Sequence, residues 1–229
     1  RSSDLGQIVV NAGDNDKVYI VLNGINITSS NSAPIYVKNA DKTIISLADE
    51  TENVVEDSTN YVFEDGSADE PSAVIFSKDD LTFIGNGSLT VKGNYNNGIT
   101  SKDDLRIQSG NISVTAINTA LRGKDSLTVK NGNITIDTQG DGMKANNDTD
   151  TSKGYIWIEN GVFNITAGED GIQAETELLI NSGEFNIKTG GGSSNSSTSD
   201  NGNWGNWRMN DKGERPGFND VQEEATEET

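Results

Sequence analysis

The chain contains neither cysteine nor histidine. Without thiols there are no disulfides and no thiolate chemistry. Without imidazole, Ser-His-Asp and Cys-His catalysis and His-ligated zinc are all excluded. Hydrophobic residues are 32% and aromatics 6% of 229 residues, thin for a globule of this size. No apolar run approaches a transmembrane span, so membrane insertion is not expected. Positive charge is scarce too: 17 Lys and Arg stand against 36 Asp and Glu, a net charge of −19. That leaves no excess cation to neutralise phosphates, which argues against nucleic acid and anionic membranes as partners. Binding of divalent cations is compatible with it; so is a merely acidic, soluble surface. The chain opens on Arg1, which predicts a processed or trimmed chain.

What is present is a repeat. LRIQSGNISVT (105–115) is followed 22 residues on by LTVKNGNITID (127–137). IWIENGVFNIT (156–166) comes after a 7-residue insertion around 147–153, and LLINSGEFNIK (178–188) another 22 residues later. LTFIGNGSLTV (81–91) precedes them with one extra residue. Each unit also carries a third short apolar stretch, centred on Ile99, Leu121, Met143 and Ile172. Apolar residues alternate within each piece, the strand period, and Gly, Asn and Asp interrupt them at corners. Three short strands per turn cannot form a core alone, but stacked turns can. The expectation is an all-β, right-handed, single-stranded parallel β-helix of about 22 residues per turn. A β-sandwich also uses many short strands, but does not require the same residue types at the same offset in every unit.

Earlier in the chain, residues 19–28 match the opening strands, residues 32–38 match residues 72–78, and Ile8, Val9 and Val10 look like a still earlier turn. Residues 51–71 are acidic and irregular and predict a loop. Asn-X-Ser/Thr triplets at Asn26 and Asn133 fall inside strand patterns and read as accidents of composition. The solenoid is expected over residues 1–190, and 191–229 as a Gly/Ser/Asn-rich and acidic flexible tail. Trp204 and Trp207 in that tail are a carbohydrate platform or a cover for the open end of the solenoid.

The runs NDKVYIVLNG (15–24), SAPIYVK (32–38), SKDDLTFIGNGSLTVKGNY (77–95) and GITSKDDL (98–105) resemble the carbohydrate-binding, polysaccharide-lyase-like β-helix proteins of cellulolytic clostridia and their relatives. The resemblance covers about residues 5–190. It implies secretion or surface attachment, bound calcium, and affinity for plant cell-wall polysaccharides, acidic ones included. Against that family the chain looks shortened at both ends.

Aligning the third strands puts Lys38, Lys78, Lys102 and Lys124 in one column. Asn39, Asp79, Asp103 and Asp125 form the next, and Ala40, Asp80, Asp104 and Ser126 the one after. Turns lie about 4.8 Å apart, so Asp79, Asp80, Asp103, Asp104 and Asp125 would repel one another unless neutralised. Lysines can do part of this, and Asp also suits turn geometry. A hard cation with about six to eight oxygen ligands does it better, and the resemblance implies that this cation is Ca²⁺. Asp141 and Asp170 form a second acidic column, which is a further calcium site or a set of Asx turns. Beside the ladder, Thr100, Arg122, Lys144 and Gln173 point outward with Lys102 and Lys124. Lys102, Arg122, Lys124 and Lys144 are the candidates for pairing with polysaccharide carboxylates. Lys102 or Lys124 would be the base if the protein is instead a calcium-dependent lyase acting by β-elimination. Binding is taken over catalysis because nothing in the sequence sets a catalytic geometry. A third class is structural: exposed strand edges at the ends of the solenoid invite end-to-end self-association. Trp157 faces outward, toward sugar or loop.

Overall fold

The computed structural model describes residues 4–63 and 70–190. Among them lie 22 strands and no helix, arranged as three parallel sheets through which the chain winds in order. Sheet A holds eight strands, among them Ser88–Lys92, Asn111–Ala116, Asn133–Thr138, Val162–Ala167 and Glu184–Thr189. Sheet B holds seven, including Ile35–Asn39, Ala73–Ser77, Asn97–Ser101, Leu121–Gly123 and Met143–Ala145. The seven of sheet C include Lys42–Leu47, Asp80–Gly85, Asp104–Ile107, Ser126–Val129 and Tyr155–Ile158. Every strand pairs in parallel with its equivalents one turn away. The chain is a parallel β-helix of about seven turns.

The register stacks like on like. Leu81, Leu105, Leu127 and Ile156 form one inward column of sheet C, each completely buried. In sheet A, Phe163 stacks on Phe185 at 4.6 Å with rings 2° from parallel. Such a core is one side chain deep from each sheet, which is why so modest an apolar content suffices. Its second inward position in sheet B shrinks to Ser77, Ser101, Gly123 and Ala145, because the corner into sheet C is tight. A β-carbon at Gly123 would lie 2.0 Å from the Ser126 carbonyl oxygen. At the corner from sheet C to sheet A, Gly110, Gly132, Gly161 and Gly183 all have φ between 121° and 143°. This conformation favours glycine, and a β-carbon at Gly132 would sit 2.8 Å from the Gly110 oxygen.

The expected loop over 51–71 is shorter than its acidity suggests. Glu52–Glu56 is a strand of sheet A, with Asn53 and Val55 turned inward and buried and the acids turned out. The inward amide is fully used: Asn53 accepts from the Gly24 and Ile25 amides and donates to the Ser88 carbonyl. Beyond it, Asp57 is buried and accepts from the Asn94 amide and the Tyr61 hydroxyl, while Tyr61 stacks on Tyr95 at 4.3 Å. Burial pushes the Asp57 carboxyl above its ordinary range despite these hydrogen bonds. The expectations for 191–229, including Trp204 and Trp207, lie outside the described residues.

Candidate functional site

The corner between sheets B and C takes two residues, Lys102 and Asp103 in its central turn. Its shape comes from the serine before it. The Asp103 amide donates to Ser101 Oγ at 3.2 Å, and Asp79 repeats the bond with Ser77. Both serine hydroxyls donate to the Asp79 carbonyl, at 2.7 and 2.8 Å. A Ser two residues before an Asp is thus a local turn device, repeated on successive turns so that the acids stack.

The ladder runs further than the alignment placed it. Asn147 follows Asp125 in register, donating to its Oδ1 at 2.6 Å, so the column reads Asn39, Asp79, Asp103, Asp125, Asn147. The neighbouring column is corrected: Lys42, not Ala40, pairs with Asp80. Ala40 and Asp41 are extra residues at that corner, and the Ala40 amide instead donates to Asp79 Oδ2. Asp80, Asp103, Asp104 and Asp125 line one open cleft of about 370 Å³ together with Ser152, Lys153 and Tyr155.

Three cations hold parts of this cleft. Lys42 Nζ lies 3.1 Å from Asp80, Arg106 2.6 Å from Asp104, and Lys153 2.6 Å from Asp125. Lys153 comes from the insertion, whose turn is tied down by Asn147 accepting from Thr149 and Asp150. Its Asp125 partner raises the Lys153 ammonium above its usual range. Asp103 has no such cation bonded to it among the described residues. Its carboxyl is pushed above the ordinary range by partial burial first and then by Asp125, Asp79 and Asp80, with Lys153 offsetting a part. Oxygen donors of this kind fit a hard divalent cation. As arranged, no three acidic side chains converge on one metal position among the described residues. Lys42, Arg106 and Lys153 meanwhile supply positive charge to three of the five.

The second acidic column behaves as a turn device. Asp141 is buried, accepts from the Asp170 amide through Oδ1 and from Lys144 Nζ at 2.6 Å through Oδ2. Asn97 does the same for the Thr119 amide. Asp170 is exposed.

The basic strip on the outer face of sheet B is largely engaged within the chain. Lys102 lies 2.5 Å and Lys78 3.7 Å from Glu70, a residue of the 57–72 connection. Arg122 donates to Asn146 and is half-buried, which lowers its pKa, with Glu70 opposing. Lys144 is taken by Asp141. Lys124 is half-buried and has no side-chain partner among the described residues. Thr100 shares this outward column but is 1% exposed, so the strip is interrupted at that turn. Trp157 does point outward, on sheet C, and is 39% exposed. Glu70, Lys42 and Lys153 were missed by sequence reasoning; they lie off the repeat or at its irregular first corners.

Fold and surface together define a three-sheet parallel β-helix with an acidic stacked corner and an outward Trp157 on sheet C. The chain belongs to the carbohydrate-binding domain family, whose model matches residues 2–214. It is 50% identical over 111 residues to a carbohydrate-binding domain-containing protein of Acetivibrio thermocellus; the match covers 48% of this chain and 39% of that relative's length. A solved polysaccharide lyase-like protein from C. thermocellum, a gadolinium derivative, superposes with a TM-score of 0.72 at 40% identity, over 82% of this chain and 78% of that one.

Proposed function

We propose that this chain binds an extended cell-wall polysaccharide outside the cell, acidic (polygalacturonate-like) or cellulosic, with Ca²⁺ held at the corner between sheets B and C. The observation that carries the metal part is charge. Five stacked carboxylates against three bonded cations leave a net −2, which one divalent cation neutralises. Asp103 would take the ion, and Asp79 and Asp125 from the turns on either side would turn toward it on binding, since as arranged no three acids among the described residues converge on one position. Asp80 and Asp104 lie at the adjoining position. The bound ion supplies positive charge that a sugar carboxylate can share. Lys124 stands beside the corner to pair with such carboxylates, while Lys102, Arg122 and Lys144 already face Glu70, Asn146 and Asp141. Electrophoresis through gels containing polygalacturonate tests this. Retardation that a chelator abolishes is expected; retardation indifferent to chelator removes calcium from the mechanism.

Two other readings rest on narrower observations. Elimination on a uronan would use Lys124 as base, since Lys102 is held by Glu70; no rise in ultraviolet absorbance from polygalacturonate with Ca²⁺ sinks it. End-to-end association would use the last described turn, where Leu178, Leu179, Ile180 and Ile187 are 42–45% exposed; a monomeric light-scattering profile of the full chain rules against it.

A further inference from the structure

On the outer face of sheet C, three consecutive turns place Arg106, Thr128 and Trp157 in one column. Gln108, Lys130 and Glu159 take the next outward position, each amide bonded to the turn before. These six, with Tyr155, line an open groove of about 290 Å³ whose floor is Ile107 and Val129. Three turns about 4.8 Å apart give it a length of about 10 Å. Thr128 is small between the longer Arg106 and Trp157, and this makes the hollow.

We propose that this groove is a saccharide subsite in which a pyranose ring stacks on Trp157 and its hydroxyls bond to the polar groups around it. The proposal rests on the carbohydrate-binding reading and locates it on sheet C, away from the basic strip of sheet B. A partly exposed indole offers a flat apolar face beside polar neighbours. A pyranose presents a C–H face of that kind with hydroxyls at its edge. Few convergent polar groups around an apolar contact are the ordinary make-up of a small-ligand site. Arg106 is preset: Asp104 holds its guanidinium at 2.6 Å, and Ser126 donates to the same carboxylate at 2.7 Å. That fixes the guanidinium at one end of the groove with donors to spare. Lys130 and Glu159 supply one charge of each sign and Arg106 a further positive one, so the groove can take uronates as well as neutral sugar rings. Tyr155 lines both this groove and the acidic cleft. One extended chain therefore reaches from a stacked ring at Trp157 past Tyr155 to the carboxylates, where a uronate and a cation would meet.

The test uses the full chain carrying Trp204→Phe and Trp207→Phe, which leaves Trp157 as the sole tryptophan of the three present. Soluble cellulosic polymer and polygalacturonate with Ca²⁺ are titrated while indole fluorescence is followed, and affinity is measured in parallel by gel retardation. A fluorescence change that saturates with binding is expected. Trp157→Ala should weaken affinity about tenfold or more, as loss of an aromatic anchor does, and Trp157→Phe should restore a part. Tyr19→Ala, also exposed on sheet C but remote from the groove in register, should change nothing. A response to both polymers marks a ring-stacking site for pyranoses in general; a response to polygalacturonate alone, lost with chelator, marks a uronate site. Wild-type retardation that survives Trp157→Ala undiminished overturns the groove and leaves the carbohydrate reading standing. No binding of wild type to either polymer overturns both. Unchanged circular dichroism of the variants separates loss of binding from loss of fold.

Discussion

Calcium should raise the melting temperature of this protein, and Asp103→Asn should remove about half of the rise. The stacked corner places Asp103 between Asp79 and Asp125, and among the described residues only Asp80, Asp104 and Asp125 of the ladder have a cation bonded to them. A ligand that binds only the folded state stabilises it by about 2.7 kcal/mol at a hundred times its Kd. For a chain of this size each kcal/mol moves the midpoint by about 2–4 °C, so the rise should be about 5–11 °C. Removing one charged ligand that weakens the ion tenfold leaves about 1.4 kcal/mol at the same calcium concentration, hence about 3–6 °C. In chelator the order reverses. The Asp103 carboxyl is held above its ordinary value by burial and its acidic neighbours, so the fold prefers its neutral form. The corresponding stability is complete below the unfolded value near 3.8 and is lost as pH rises through the raised one. Asn is neutral throughout, so the metal-free variant should melt higher than wild type at pH 7. Scanning calorimetry of both proteins, with chelator and with saturating Ca²⁺, gives all four midpoints. A wild type whose midpoint ignores calcium, or a variant with the full rise, refutes the assignment of the ion to Asp103.

Lys153→Gln should tighten calcium binding, because the ammonium bonded to Asp125 competes with the ion; titration calorimetry showing weaker binding would place the ion elsewhere. Gly132→Ala should cost about 1–3 kcal/mol of stability from backbone strain alone, since its φ is 143° and the new β-carbon would meet the Gly110 oxygen at 2.8 Å; an unchanged denaturation midpoint contradicts the corner geometry. Asp57, raised by burial, adds stability that is complete below about 3.8 and fades as pH rises through its elevated pKa. Asp57→Asn should therefore flatten the pH dependence of unfolding, and an identical profile for variant and wild type would show that the Asp57 carboxyl is not buried.

The architecture was legible because the same inward positions recur at the same offset in every turn, so that one turn predicts the next. Leu81, Leu105 and Leu127 needed no information beyond their spacing to be placed in one column, and the stacked aspartates followed from the same count. The count failed where a corner changes length. Two extra residues at Ala40 and Asp41 shift Lys42 opposite Asp80, turning an expected apolar neighbour into an ion-pair partner. Glu52–Glu56 was hidden differently: its outward acids dominate the composition, while the inward pair is one Val and one Asn, a residue whose burial makes sense only once its four-way hydrogen bonding is seen.

The charges that neutralise the ladder lie beyond any repeat-based inference. Stacking like on like suits an apolar column, because identical side chains pack, but the same rule concentrates carboxylates wherever a turn favours Asp. A strict solenoid cannot supply the compensating cations from the same column. Here they come from other places: Lys153 from an insertion, Lys42 from an irregular corner, Arg106 from the outer face of sheet C. Arg106 ties the acidic corner to the groove under Trp157, since its partner Asp104 belongs to the first and its own side chain lines the second. A cation at the corner would neutralise the carboxylates around Asp104 and steady its hold on that guanidinium, keeping the donors set for a sugar beside Trp157. Calcium and saccharide would then each strengthen the other's binding by the same factor. Arg106→Gln should abolish that mutual effect while leaving Trp157 in place, and titrations of either ligand in the presence and absence of the other measure it directly.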